Sequence, residues 1–220
     1  MRSVLAAIRA TAAAMPDRVA LGDSLGTLGY GALADDVARH AAGLSRVPET
    51  VGLLMPRDRR HVVADLALAS LGCTIVPMPE FFSPEQWRHM VADAGIGAIV
   101  TVTEWRKRCA DLGVPVHCAA PARGRLLSAR PSRRIIYTSG TTGRPKGVVL
   151  TEAAMTASLD ALAQAAQAGA DDVHLSLLPF SLLLEQLAGV LLPLKLGART
   201  QIAASPLEAE AAGATTSVVV

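Results

Sequence analysis

Aromatic side chains are scarce in this chain. Phe, Trp and Tyr make up 3% of its 220 residues, so the core is expected to be built from Ala, Leu and Val. Cysteine is scarce too: Cys73, Cys109 and Cys118 make an odd set with no CxxC spacing. That argues against a disulfide scaffold or a zinc site and fits a reducing cytoplasm. The five histidines (His40, His61, His89, His117, His174) are dispersed, so no metal-ligand cluster is visible. Charged residues are 18% of the chain, net charge is +2, and the basic residues form no stripe, which leaves no footprint for nucleic acid. The densest basic cluster, Arg57, Arg59 and Arg60 around Asp58, reads as a solvated helix start. The greasiest window, 175–196, is interrupted by Pro179, Glu185, Pro193 and Lys195, so no transmembrane segment is expected. At the N-terminus Arg9 falls inside the apolar run, as in an amphipathic helix and unlike a signal peptide.

What is present is alternation. Apolar residues at helical spacing predict helices over 3–15, 32–44, 59–71, 84–95, 104–112, 151–168 and 182–196. Short β-branched runs between them predict strands over 19–21, 27–30, 51–55, 74–76, 98–102, 114–118, 173–177 and 198–202. The helix after Ser83 has the strongest start, with a serine cap, Pro84 in the first turn and Glu85 facing the positive helix end. Strand, helix, strand over 51–76 is a βαβ unit, expected to cross over right-handed onto a parallel sheet. The fold class is therefore α/β: alternating βα units forming largely parallel sheets with packed helices. The stretch 121–131, basic and turn-rich, reads as a linker that ends a first α/β subdomain, 1–130, before a second, 131–220. A last helix is expected over 206–212 and a strand over 216–220, on which the chain ends. Termini are commonly loose and exposed, so the chain reads as cut there.

The most informative stretch is R-R-I-I-Y-T-S-G-T-T-G-R-P-K-G-V-V-L, residues 133–150. Two apolar runs, 135–137 and 148–150, read as strands flanking a loop with hardly an apolar atom in it. Gly140, Gly143 and Gly147 permit close backbone approach to a ligand. Successive N–H groups form an anion-binding concavity, and Thr138, Ser139, Thr141 and Thr142 add hydroxyl donors. Lys146 supplies a cation. This composition describes a polyphosphate cradle. It is not a Walker A loop, since Pro145 precedes the lysine, Gly147 follows it, and a strand follows the loop. An unliganded glycine- and threonine-rich surface hairpin shares the gross composition, but the string Y-T-S-G-T-T-G-R-P-K-G-V is more particular than that.

That string closely resembles the phosphate-binding signature of the AMP-forming adenylating enzymes: acyl- and aryl-CoA synthetases, peptide-synthetase adenylation domains and luciferases. Leu68 to Pro79, L-A-S-L-G-C-T-I-V-P-M-P, is similar to a helix–strand segment upstream in that family, and reads physically as a structural corner. Leu177 to Gln186, L-L-P-F-S-L-L-L-E-Q, resembles one wall of the acyl pocket, with Glu185 matching the L-P-x-x-H-x-x-E pattern of long-chain fatty acyl-CoA synthetases. Leu182 stands where many members carry an aromatic or a histidine; it reads first as a core leucine and otherwise as part of that wall. The resemblance implies the fold of the N-terminal domain of these synthetases.

By the same resemblance, a carboxylate attacks the α-phosphorus of Mg-ATP to give an acyl-adenylate and pyrophosphate. A thiol, of CoA or of a carrier protein's phosphopantetheine, then takes the acyl group. The loop would stabilise the charge building on the β- and γ-phosphates, and Thr141 is the candidate magnesium contact. The implied acid is a fatty acid, in a cytoplasmic ligase of fatty acid metabolism. The family's Y-G-x-T-E segment, its ribose-binding aspartate and its C-terminal lysine are not found here, so no catalytic residue is assigned, and the chain alone is expected to lack carboxylate-dependent ATP–pyrophosphate exchange. An open sheet edge at 216–220 would favour self-association. The competing reading is a short non-catalytic protein that binds nucleotide or acyl groups and needs a partner chain to complete its site.

Overall fold

A computed structural model of the chain describes residues 1–122, 131–138 and 145–203. In chain order its first elements are α1 (Arg2–Ala14), β1 (Val19–Asp23), β2 (Gly26–Gly29), α2 (Tyr30–Gly43), β3 (Thr50–Leu53) and α3 (Arg59–Ser70). There follow β4 (Thr74–Pro77), α4 (Pro84–Asp93), β5 (Ala98–Thr101), a 3-10 segment (Thr103–Leu112), β6 (Val116–Cys118), β7 (Arg133–Thr138) and β8 (Lys146–Thr151). The last are α5 (Glu152–Ala166), β9 (Val173–Ser176), a π-helical turn (Glu185–Leu191) running into α6 (Leu192–Leu196), and β10 (Arg199–Ile202). The helices and strands expected from the sequence are all present within the described residues. The elements expected over 206–212 and 216–220 lie outside them.

By their contacts the residues form two compact units, one of residues 1–36, 57–62 and 153 onward, the other of 37–56 and 63–152. The expected break at 130/131 does not coincide with this grouping, because β7 pairs in parallel with β4, Thr74 opposite Arg133. The supposed linker residues 123–130 lie outside the described residues.

The first unit holds a four-stranded sheet in the order β2-β1-β10-β9. The β1–β2 pair is antiparallel, as a short connection requires, and the others are parallel. Helix α1 buries Val4, Leu5 and Ile8 and packs on α6. Tyr30, fully buried, donates its hydroxyl to the Ala198 carbonyl at 2.7 Å, tying the start of α2 to the turn before β10. The basic cluster at 57–60 is not a solvated helix start. Arg59 holds Asp23 through its backbone N–H (2.9 Å) and Nε (2.9 and 3.0 Å). Arg57 donates to the Ser176 carbonyl at 3.0 Å and to the carbonyl of Ala203. Only Arg60 stays at the surface, paired with its neighbour Asp58 at 2.8 Å. Burial works to raise the Asp23 carboxyl, yet the Arg59 contacts and the Leu25 N–H together outweigh it and hold Asp23 below its ordinary value.

The second unit holds a six-stranded sheet in the order β6-β5-β3-β4-β7-β8, parallel except for β7–β8. Strand β3 with α3 and β4 forms the expected βαβ unit, Val51 opposite Ile75. The core here is not only aliphatic. It gathers Trp87, Tyr137, Met78 and Met90 with Leu54, Val76 and Ile99, so this unit concentrates two of the chain's few aromatics. Aromatics bury more area per residue than any aliphatic, which is why few suffice. Helix α4 starts as its sequence demands: the Ser83 hydroxyl accepts from the Gln86 N–H (3.2 Å) and the Gln86 side chain accepts from the Ser83 N–H (2.8 Å).

On its other face strand β7 buries a charge. Arg134 is 1% exposed and forks onto Asp65 of α3 with N–O distances of 2.6 and 2.5 Å. Three residues on, and therefore on the opposite face of the sheet, Tyr137 lies across Gly147 of β8, its partner in the ladder. A Cβ on Gly147 would stand 2.8 Å from Ile135 Cγ2 and 3.1 Å from Tyr137 Cζ. Gly147 was expected to serve a ligand; it serves the aromatic ring, which needs a residue without a side chain opposite it.

Two outcomes follow from this packing. Asp65→Leu or Arg134→Leu should each cost about 3–5 kcal/mol in urea unfolding, while the double replacement should recover most of it, because the loss lies in the bare charge left behind. Gly147→Val should cost on the order of 1–3 kcal/mol by overpacking against Tyr137, and a Tyr137→Ala background should relieve part of that loss in the same measurement.

Candidate functional site

The loop that the sequence singles out closes a β-hairpin. The β7–β8 ladder runs from Arg133 opposite Thr151 without a break to Thr138 opposite Lys146. That last pair stands at the base of the loop, with both side chains exposed. A Thr hydroxyl and a Lys ammonium thus flank the loop's mouth side by side, a donor and a cation with no carboxylate in the ladder between them. Ser139, Gly140, Thr141, Thr142 and Gly143, and with them the magnesium contact expected at Thr141, lie outside the described residues. Among the described residues no group of three His, Cys, Asp or Glu side chains is arranged to hold a metal.

Both arms of this hairpin are tied to α4. The Tyr137 hydroxyl donates to Asp93 Oδ2 at 2.6 Å, and His89 Nε2 is hydrogen-bonded to the Pro145 carbonyl at 3.1 Å. Burial raises the Tyr137 phenol above its ordinary value, and the Asp93 hydrogen bond and charge add to this, so the ring stays neutral and donating. His89 and Asp93 are four residues apart, hence on one helix face. That i, i+4 spacing sets both polar groups on one face, but nothing in it names the hairpin as their partner. At the base of the hairpin the Ser132 N–H donates to Glu152 Oε2 at 3.2 Å. Strand β8 is the sheet edge and leaves Val148 and Val149 exposed.

The other candidate residues belong to the first unit. Pro179 to Leu184 leads from β9 into the long helix, and Leu182 is 42% exposed. It is not a core leucine. Glu185 is 7% exposed and opens the π-helical turn. Such wide turns recur at functional sites because they displace the backbone from its usual register. The Ser176 hydroxyl donates to Glu185 Oε1, and Gly189 lies under the carboxylate: a Cβ there would stand 2.5 Å from Oε1. Burial pushes the Glu185 carboxyl above its ordinary value, opposed by the Ser176 hydroxyl, the Arg57 guanidinium and the Leu178 backbone. Glu185 also borders a cavity of ≈ 190 Å³ whose other walls include Leu162, Leu175, Leu178, Leu184 and Leu192. Leu182 does not line it.

Comparison with known proteins places the whole chain. The family described as AMP-binding enzyme matches residues 8–216. Pyochelin synthetase PchF of Pseudomonas aeruginosa is 31% identical over 180 residues, which is 72% of this chain and 9% of that protein. Among solved structures, a putative long-chain-fatty-acid CoA ligase from Rhodopseudomonas palustris superposes with a TM-score of 0.83 at 20% identity, over 96% of this chain and 61% of that one. A fatty acyl-adenylate ligase from L. pneumophila, in complex with acyl adenylate and pyrophosphate, superposes with a TM-score of 0.81 at 19% identity, over 95% of this chain and 40% of that one. The chain therefore spans less than two thirds of the relatives it matches, and the two structures share its α/β fold of parallel sheets and packed helices. Matched by the family description over nearly all of its length, the chain belongs to the AMP-binding enzymes.

Proposed function

We propose that this chain forms the phosphate-binding part of a ligase that activates a carboxylic acid with ATP. The observation that carries this reading is the closing pair of the β7–β8 ladder, Thr138 opposite Lys146. It holds a hydroxyl and an ammonium at the base of a loop whose sequence, S-G-T-T-G-R-P, is rich in hydroxyls and glycine. The described ends of the hairpin are fixed by the Tyr137–Asp93 and His89–Pro145 hydrogen bonds, which supports a binding role for the loop they carry.

In this reading a carboxylate oxygen attacks the α-phosphorus, pyrophosphate leaves, and a thiol later displaces AMP from the acyl-adenylate. Lys146, Thr138, Ser139, Thr141 and Thr142 would take up the charge that develops on the departing phosphates, with N–H groups of Gly140 and Gly143. Magnesium, held by Thr141 and by the phosphates themselves, would neutralise part of the same charge. The acid is read as a fatty acid, on the likeness of residues 177–186 to the acyl-pocket wall of fatty acyl-CoA synthetases. The acceptor is CoA or a carrier-protein phosphopantetheine; the resemblance to pyochelin synthetase favours the carrier thiol. Three free thiols suit a reducing cytoplasm. No helix among the described residues is long and apolar enough to cross a membrane.

Lys146→Ala should weaken binding of ATP or pyrophosphate by about 1.5–3 kcal/mol, the contribution of a charge-assisted contact, with no change in urea midpoint because the side chain is exposed. Isothermal titration of both proteins checks it, and equal affinities would leave the hairpin without a phosphate-binding role.

A further inference from the structure

Pro145 is buried, one residue before Lys146. It has no N–H, so its carbonyl is the backbone group by which it can be held. The pyrrolidine ring closes φ, and the soft dihedral that remains is ψ, which decides where the carbonyl points. His89 Nε2 meets that carbonyl at 3.1 Å. A carbonyl only accepts, so the ring nitrogen donates. With φ fixed by the ring and ψ by the hydrogen bond, the backbone enters Lys146 in one direction. The peptide is planar and trans, which points the Lys146 N–H away from the carbonyl and hence away from α4.

The other arm is held one residue short of its own hydroxyl. Tyr137 donates to Asp93 at 2.6 Å, and Thr138 follows it. One face of α4 thus holds the residue before Thr138 and the residue before Lys146. The two arms differ in their further support. The Tyr137 ring is packed in the core with Trp87 and Met90, whereas Gly147 has no side chain to pack, so the Lys146 arm depends more on its hydrogen bond. Side chains alternate along a strand, so Thr138 and Lys146 turn to the face opposite Tyr137 and α4. Directly opposed residues have Cβ atoms about 4.5–5.5 Å apart, which makes the hydroxyl and the ammonium neighbours there. His89 stands behind them and does not face a ligand held between them.

We propose that His89 is a positioning residue for the phosphate site, holding the Pro145 carbonyl so that Lys146 stands opposite Thr138. The inference rests on the phosphate-binding reading above and adds to it a residue that touches no phosphate. Its effect on a ligand passes through Lys146.

The test is a double-mutant cycle on the 220-residue chain, with pyrophosphate as the probe and isothermal titration as the readout. His89→Phe keeps an aromatic ring and removes the donor. It should weaken pyrophosphate binding about threefold to tenfold, the scale of one neutral hydrogen bond. His89→Gln, whose amide can donate to the same carbonyl, should bind within about twofold of the wild type. In a Lys146→Ala background His89→Phe should change the affinity by less than about twofold, because the group it positions is gone. A residue that served folding alone would weaken binding equally in both backgrounds. His89→Ala, at a half-buried helix position that tolerates alanine, replaces the phenylalanine variant should that one fail to fold. Wild-type affinity without the donor, a loss that glutamine does not restore, or an equal loss in both backgrounds would overturn the proposal. If Lys146→Ala itself binds as the wild type does, the phosphate reading falls and this proposal with it. If Lys146→Ala is weak and His89→Phe is not, this proposal alone falls.

Discussion

A guanidinium sealed at 1% exposure needs a counter-charge held in register, and that requirement governs the β7–β8 hairpin. Arg134 meets it by forking onto Asp65 of α3, and both groups are planar, so the fork sets position and rotation together. Strand β7 is thereby located against the helix that crosses over between β3 and β4. From that one placement follows the rest of the ladder: β4 on one side, β8 on the other, and at its end Thr138 facing Lys146. A slip of one residue in the register would turn Arg134 out of the core and separate the loop's two bases.

The same hairpin shows how the ends of a loop are held by groups on another element. Tyr137 packs over Gly147 on one side and donates to Asp93 on the other, and His89 reaches the carbonyl that precedes Lys146. Loops take on binding roles where a rigid scaffold presents them, and here the scaffold is a capped helix and an aromatic ring. In the first unit an analogous economy operates around Glu185. A π-helical turn, a glycine and a serine together keep a carboxylate inside a leucine-walled space where burial alone would exclude it.

Much of this was legible in the residues. The alternation of helical and β-branched periods located the elements, and Ser83 with Pro84 and Glu85 marked the start of α4. The residues that hold the loop were not legible, for a physical reason. Asp65, His89 and Asp93 carry no local mark of their partners, because those partners are 69, 56 and 44 residues away in the chain. The basic cluster at 57–60 was misread on the same account: nothing near Arg57 or Arg59 reveals that Ser176 and Asp23 will come to meet them. Leu182 looked like core by its type alone, and its neighbours in space left it exposed.

By itself, then, the sequence determined what depends on contacts a few residues apart: periods, caps, turns and a donor-rich loop, together with the family those local strings identify. The tertiary structure alone decided which charges are buried and paired, which glycine makes room for a ring or a carboxylate, and which carboxylate borders a cavity. Those outcomes depend on long-range burial, where the cost of an unpaired charge or an excess methyl is set by atoms that the local sequence does not name.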